Sequence, residues 1–198
     1  MPVAEPSFHA IEWAEDRLRL LDQRLLPGET RHLEYTEAAA VAEAIRDLVV
    51  RGAPAIGITA AYAVVLSARR HASQDEAGWQ ARVAADINVL AAARPTAVNL
   101  VWALERMRTC MQGLSDNPVP ALLAEARRIH TEDAAANHRM GEHGANLINT
   151  GDSVLTHCNA GALATGGYGT ALGVIRSAWS AGKLRDVYAG ETRPWLQG

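Results

Sequence analysis

The sequence predicts an α/β chain in two parts. A mainly helical N-terminal domain with a small β-hairpin element spans residues 1–148, and the first β-α-β unit of a parallel-sheet domain, incomplete within this chain, spans 149–198. Three observations carry that prediction. Before residue 36 short apolar segments alternate with a period of two, and from Thr36 to about residue 148 apolar residues recur at helical spacing. Past Gly151 a β-branched run, a glycine-rich stretch, an apolar helical run and a second β-branched run follow in order.

In the first part, Ile11-Glu12-Trp13, Arg17 to Leu21 and Thr30 to Tyr35 read as strands within residues 11–35, with Pro27-Gly28 as punctuation. Thr36 reads as the N-cap of a helix whose apolar face carries Val41, Ile45, Leu48 and Val49. Gly52 and Pro54 break that helix and open a second from about residue 55 to 70. A third is expected over about 76–93, where Pro95 stops it. Thr96 caps a fourth, with Leu100, Val101, Leu104 and Met107 on one face. Asn117-Pro118-Val119-Pro120 is a connector, and a long helix is expected from about 121 towards 146.

In the second part, Ser153-Val154-Leu155-Thr156-His157 reads as a buried strand, residues 170–179 as a helix ended near Gly182, and Asp186-Val187-Tyr188-Ala189 as a second strand. Parallel sheets normally have both faces covered, and two strands with one crossover helix leave a face and an edge open. The expectation is therefore a piece of a longer protein, or an edge at 186–189 that another chain pairs.

Composition narrows the function classes. The chain has 198 residues, of which 48% are apolar and 21% charged, with a net charge of −3 and no Lys/Arg block. That balance argues against a nucleic-acid or membrane-surface partner but leaves room for a small anionic ligand held by one or two arginines. Two cysteines, Cys110 and Cys158, show neither CxxC nor zinc-ligand spacing, and free thiols fit a cytoplasmic location. The N-terminus lacks a basic start followed by an apolar run, so no secretory signal is expected. The uncharged run at 53–68 is shorter than the roughly 20 residues a bilayer requires and contains Pro54 and Gly57, so a buried helix is expected there.

The segment THCNAGALATGGYGT at 156–170 carries the strongest chemical signal. It follows a strand and opens a helix, and ligands of open α/β sheets bind beyond the carboxyl ends of strands. Cys158 stands at such an end, with glycines that let a backbone approach a ligand and helix N–H groups that attract anions. A free cysteine is more often a small buried apolar residue. The strand end, glycine run and helix start together favour function. The run is not GxGxxG and no acidic residue ends the next strand at ribose spacing, so a nicotinamide site is rejected and no cofactor is expected.

Two helix starts follow arginines, in RGAPAIG at 51–57 and RPTAVNL at 94–100. In each, an anion could sit on the first-turn amides with Arg51 or Arg94 as clamp. The plainer reading of Arg51 is a surface residue at the end of the preceding helix, and locally the two balance. Together with the glycine run, these elements suggest a phosphorylated ligand at the domain junction. The patch with Glu132, Asp133, Asn137, His138 and His143 is not expected to bind metal, because its histidines are five apart. His157 is read as structural and Cys110 as core, while Gln197 could reach the crevice.

RGAPAIG at 51–57, RPTAVNL at 94–100, THCNAGALATGGYGTALG at 156–173 and ETRPWLQG at 191–198 together resemble methylthioribose-1-phosphate isomerases of methionine salvage. The resemblance runs over essentially the whole chain, including residues 21–27 and 130–144. The wider superfamily includes ribose-1,5-bisphosphate isomerases and regulatory subunits of a translation-initiation exchange factor, and the HCNAG run looks like the enzyme branch. The resemblance implies a helical N-terminal domain, a Rossmann-like C-terminal domain, a homodimer and an active site at the domain junction. It implies that Arg51, Gly52, Ala53, Arg94 and Gln197 contact substrate and that Cys158 is the catalytic cysteine. The implied reaction converts 5-methylthioribose 1-phosphate to 5-methylthioribulose 1-phosphate. The alternatives are a ribose-1,5-bisphosphate or 5-deoxyribose-1-phosphate isomerase, or a non-catalytic regulatory subunit. The family's catalytic aspartate and an Asn-Lys pair lie beyond the ETRP motif, so this chain alone is expected to be inactive. Gly190 stands where an aspartate is common.

Overall fold

The computed structural model describes residues 9–73, 78–114 and 117–191. The chain begins with a three-stranded antiparallel sheet, β1 (Ile11–Ala14), β2 (Arg17–Leu21) and β3 (His32–Tyr35), in that order. The three strands expected over residues 11–35 thus all form, the third over His32–Tyr35. β1 and β2 turn through Glu15 and Asp16, both at positive φ (48° and 62°), the backbone that matches strand twist in two-residue hairpins. Alternation sorts the faces. Leu18 and Leu20 are buried beneath the sheet, while Arg17 pairs with Glu34 and Arg19 with Glu12 across the outer face.

Five helices follow: α1 (Ala38–Arg46), α2 (Ala53–Ala72), α3 (Trp79–Ala91), α4 (Val98–Met111) and α5 (Val119–Asn146). α2 is the hub. Every residue from Ala55 to Ala68 is buried, because α1, α3, α4 and α5 all pack around it. That environment explains the uncharged run at 53–68. Among the described residues, no helix is long and apolar enough to cross a membrane.

Several local expectations need correction. The N-cap of α4 is Ala97 rather than Thr96. The N-cap of α1 is Glu37 rather than Thr36, and α1 stops at Arg46 instead of running to Gly52. Leu48 takes positive φ (63°), so it lies outside the helix, and its neighbours Val49 and Val50 enter the core from a loop. Val101 does not share the core face of α4: it is 44% exposed, while Ala103 is the buried neighbour of Leu104. The beginning expected for α3 falls partly outside the described residues.

After α5 come β4 (Asp152–Thr156), a short 3₁₀ turn (Ala162–Ala164), α6 (Ala171–Ser180) and β5 (Leu184–Ala189). β4 ends at Thr156 with Ser153 and Leu155 exposed, so His157 lies outside it and the strand is not buried throughout, contrary to expectation. β4 and β5 pair in parallel, as the β-α-β reading requires. α6 lies against α5 and covers one side of this small sheet. Leu155 and Tyr188 remain 78% and 58% exposed. The apolar content of these strands suits burial that two strands and one helix do not supply.

Candidate functional site

Three motif segments distant in sequence meet at the N-terminal end of α2. Gly52 is the N-cap of α2 at φ 94°, followed by Ala53 and by Pro54 in the first turn. The first intrahelical bond runs from Ile56 N–H to Gly52 O, so the amides of Ala53 and Ala55 precede any i−4 partner. Such amides and the positive end of a 20-residue helix define an anion-attracting corner. A Cβ built on Gly52 would lie 2.4 Å from the Ala164 Cβ. The 3₁₀ turn of the glycine segment therefore sits directly on the α2 N-cap. A Cβ on Gly57 would lie 2.7 Å from Asn99 O, so the first turns of α2 and α4 also abut.

Arg51 is 7% exposed, which removes the reading of it as a surface helix cap. Its Nη2 donates to Gln23 O at 3.1 Å, and burial pulls its pKa below the ordinary arginine value. A guanidinium stays protonated at neutral pH, so a buried cation stands behind the α2 N-terminus. Arg94 is half-buried in the turn closed by Ala97 N–H to Arg94 O at 3.0 Å, just before α4.

Cys158 lies two residues past the end of β4, exposed, and in the left-handed region at φ 72°. The β4–β5 ladder closes with Gly190 N–H donating to Thr156 O at 3.1 Å. The thiol therefore stands at the carboxyl end of the parallel pair. A non-glycine residue held at positive φ is uncommon and clusters at functional sites. His157, read as structural, is exposed beside Gly190, where a Cβ would meet its Nδ1 at 2.9 Å. Cys110 is half-buried and packs on the edge of the helical core, as expected. Gln197 lies outside the described residues.

Sequence reasoning did not assign the role of the residues that hold this corner together, although Asp133 and Asn137 fall in the polar patch it marked on the long helix. Gln23, buried at the end of β2, donates from Nε2 to Leu163 O at 2.7 Å and from its backbone to Val49 O at 3.0 Å. It thereby joins the N-terminal sheet, the Arg51 loop and the glycine segment. From α5, His130, Asp133 and Asn137 reach the backbone of Gly166 and Gly167. A cleft of about 650 Å³ lies beside these contacts, walled by Pro54, Ile58, Val98, Asn99, Trp102 and Asp133. Among the described residues, no group of three or more His, Cys, Asp or Glu could hold a metal ion.

Burial lowers the pKa of His130, with the Gly166 carbonyl opposing that shift. A carbonyl only accepts, so Nε2 carries the proton and donates to Gly166 O at 2.9 Å, leaving Nδ1 to accept from the Tyr62 hydroxyl at 3.2 Å. Tyr62 is itself pushed up to about 12 by burial, so it stays a donor. A depressed histidine pKa stabilises the folded state fully above the unfolded value of about 6.5, and that stability is lost as pH falls through the folded value. The melting temperature is expected to fall between pH 7 and 5, with a shallower slope in His130→Gln. Equal slopes in thermal scans of both proteins would contradict this.

Residues 49–198 match the Initiation factor 2 subunit family, which is most of the chain, and the chain belongs to that family. A methylthioribose-1-phosphate isomerase of Methylococcus capsulatus is 60% identical over 195 residues, covering 98% of this chain and 55% of that protein. The crystal structure of 5-methylthioribose 1-phosphate isomerase from Pyrococcus horikoshii superposes with a TM-score of 0.89 at 37% identity, over 98% of this chain and 55% of that one. A structure of A. fulgidus described as translation initiation factor eIF-2B subunit delta gives a TM-score of 0.85 at 42% identity, over 97% and 57%. The chain thus spans about half the length of the curated relatives it matches.

Proposed function

We propose that the protein carrying this chain is an aldose–ketose isomerase that converts 5-methylthioribose 1-phosphate to 5-methylthioribulose 1-phosphate. One observation supports this above the others: the glycine segment that follows the strand-end thiol of Cys158 is seated on the α2 N-cap, against Gly52. In this reading the α2 N-terminus supplies the anion site and Cys158 the thiol, and the packing of Ala164 on Gly52 supports bringing the two segments to one ligand. The relatives' names point to the same chemistry.

In this reading Arg51, the amides of Gly52 and Ala53, and Arg94 hold the substrate phosphate, and Gln197 joins them. The glycosyl phosphate masks an aldehyde, so the ring must open before C1 and C2 exchange oxidation state. Cys158 acts at C1/C2, either carrying the proton or stabilising the polarised intermediate. No cofactor is required. Residues 1–148 form the helical domain, and 149–198 begin the Rossmann-like one. The protein works in the cytoplasm as a homodimer, without nucleic-acid or membrane partners. A net charge of −3 without a basic block suits that assignment.

The experiment is an isomerase assay on the whole protein with 5-methylthioribose 1-phosphate, ribose 1,5-bisphosphate and 5-deoxyribose 1-phosphate, read as ketose formation. The expected result is the highest kcat/KM for the methylthio sugar. Phosphate-sugar binding without turnover of any of the three would support a regulatory subunit instead, the reading that the resemblance to the eIF-2B delta structure favours.

A further inference from the structure

We propose that Asp133 is a positioning residue that fixes the glycine segment following Cys158, and through it the thiol, on the helical layer. The proposal rests on reading Cys158 as the working thiol of the isomerase.

The segment has a backbone that needs holding. Cys158 and Tyr168, neither of them glycine, take positive φ, at 72° and 65°. Conformations of this kind persist only where the surroundings over-determine them. α5 supplies those surroundings. Asp133 Oδ2 accepts the Gly166 N–H at 2.7 Å, and His130 Nε2 donates to Gly166 O at 2.9 Å. Both polar groups of Gly166 are thereby held by one helix. Asn137 Nδ2 donates to Gly167 O at 3.2 Å and to Asp133 Oδ2 at 3.0 Å, which orients the carboxylate. A charged acceptor makes the Asp133 bond the strong member of the set. Gly166 is pressed onto this surface, since a Cβ there would sit 2.8 Å from His130 Cδ2 and 3.0 Å from Asp133 Oδ2.

A run of bonds leads from the held glycines back towards the cysteine, as far as Ala160. Thr165 Oγ1 donates within the segment, to Gly167 O at 3.1 Å or Gly161 O at 3.4 Å. Gly161 and Gly169 form an antiparallel bridge, and Ala160 O accepts the Thr170 N–H at 2.9 Å. Ala160 is two residues from Cys158. A residue on α5, remote in sequence, thus sets where the strand-end turn can go.

The test uses the whole protein, with Cys158 and Cys110 as the thiols followed. Amide exchange and iodoacetamide alkylation are followed in wild type, Asp133→Ala and Asp133→Asn, with each thiol resolved by peptide mass. In Asp133→Ala, exchange over 166–170 should rise about tenfold or more and the Cys158 rate should change at least about threefold, while Cys110 and the amides of α2 and α4 stay as they were. Asp133→Asn keeps an acceptor oxygen and should restore both readouts to within about twofold. Three results would overturn the proposal: an unchanged Cys158 rate in Asp133→Ala, an equal disturbance in Asp133→Asn, or both cysteines and the helix amides moving together. If Asp133→Ala does not fold, Asn137→Ser is judged by the same criteria. An undiminished turnover in Cys158→Ala would sink the catalytic reading while leaving the exchange result at Gly166 intact, so the two failures are distinct.

Discussion

Cys158→Ala in the whole protein is expected to lower turnover of 5-methylthioribose 1-phosphate by about 10²–10⁴-fold, the range lost when a positioned acid–base group is removed. In the proposed reading the side chain acts on the reacting carbons while the arginines and helix amides bind the phosphate, so the effect should fall on kcat. Folding should be unaffected, since Cys158 is exposed and packs in no core. Cys110→Ala is the control. That thiol is half-buried on the rim of the helical core, so its loss should cost a little stability and leave kcat within about twofold. Steady-state kinetics of the two variants decide the matter. Turnover by Cys158→Ala within a few-fold of wild type would remove the thiol from the chemistry.

Gly52→Ala should be strongly damaging. At φ 94° a side chain is strained, by about 1–3 kcal/mol. The added Cβ would also lie 2.4 Å from the Ala164 Cβ and 2.5 Å from its Cα and O, and such an overlap costs about 1–3 kcal/mol or forces the turn away. A combined loss of about 3 kcal/mol lowers the melting temperature by roughly 6–12 °C for a chain of this size. The same methyl pushes the glycine segment off the α2 N-cap, so phosphate affinity should fall with stability. Gly182→Ala makes the comparison clean, because Gly182 also has positive φ (67°) but nothing within 4 Å of its Cβ position. Its loss should be strain alone, with binding unchanged. Calorimetry and phosphate titration of both variants would expose an equal effect at the two sites, which this geometry does not allow.

The elements were legible because each is a local pattern. Period-two alternation marked β1 to β3, and the uncharged run at 53–68 marked the buried hub α2. Cys158 at a strand end, followed by glycines, is likewise a local signal, and the structure places it there. What the sequence hid is long-range. Gln23 and Leu163 are 140 residues apart, and Asp133 and Gly166 are 33 apart. A glutamine after a strand or an aspartate on a helix has the same local signature whether it faces water or grips a backbone amide. The end of α1 was misplaced for a related reason. Val49 stands at apparent helical spacing from Ile45, but it and Val50 reach the core from a loop after Leu48 has turned left-handed. Arg51 was ambiguous locally because its burial depends on Gln23 and β2.

The most direct measurement is protection of the Cys158 thiol by ligand. Iodoacetamide alkylation is followed at Cys158 and Cys110 in the whole protein as 5-methylthioribose 1-phosphate is added. If the phosphate sits on the α2 corner with the sugar against the thiol, Cys158 alkylation slows in a saturable way, by about tenfold at ten times Kd, while Cys110 is unaffected. Arg94→Ala should shift that curve to higher ligand concentration. A Cys158 rate that stays constant at every concentration, in a protein that still binds the sugar phosphate, would contradict the shared site.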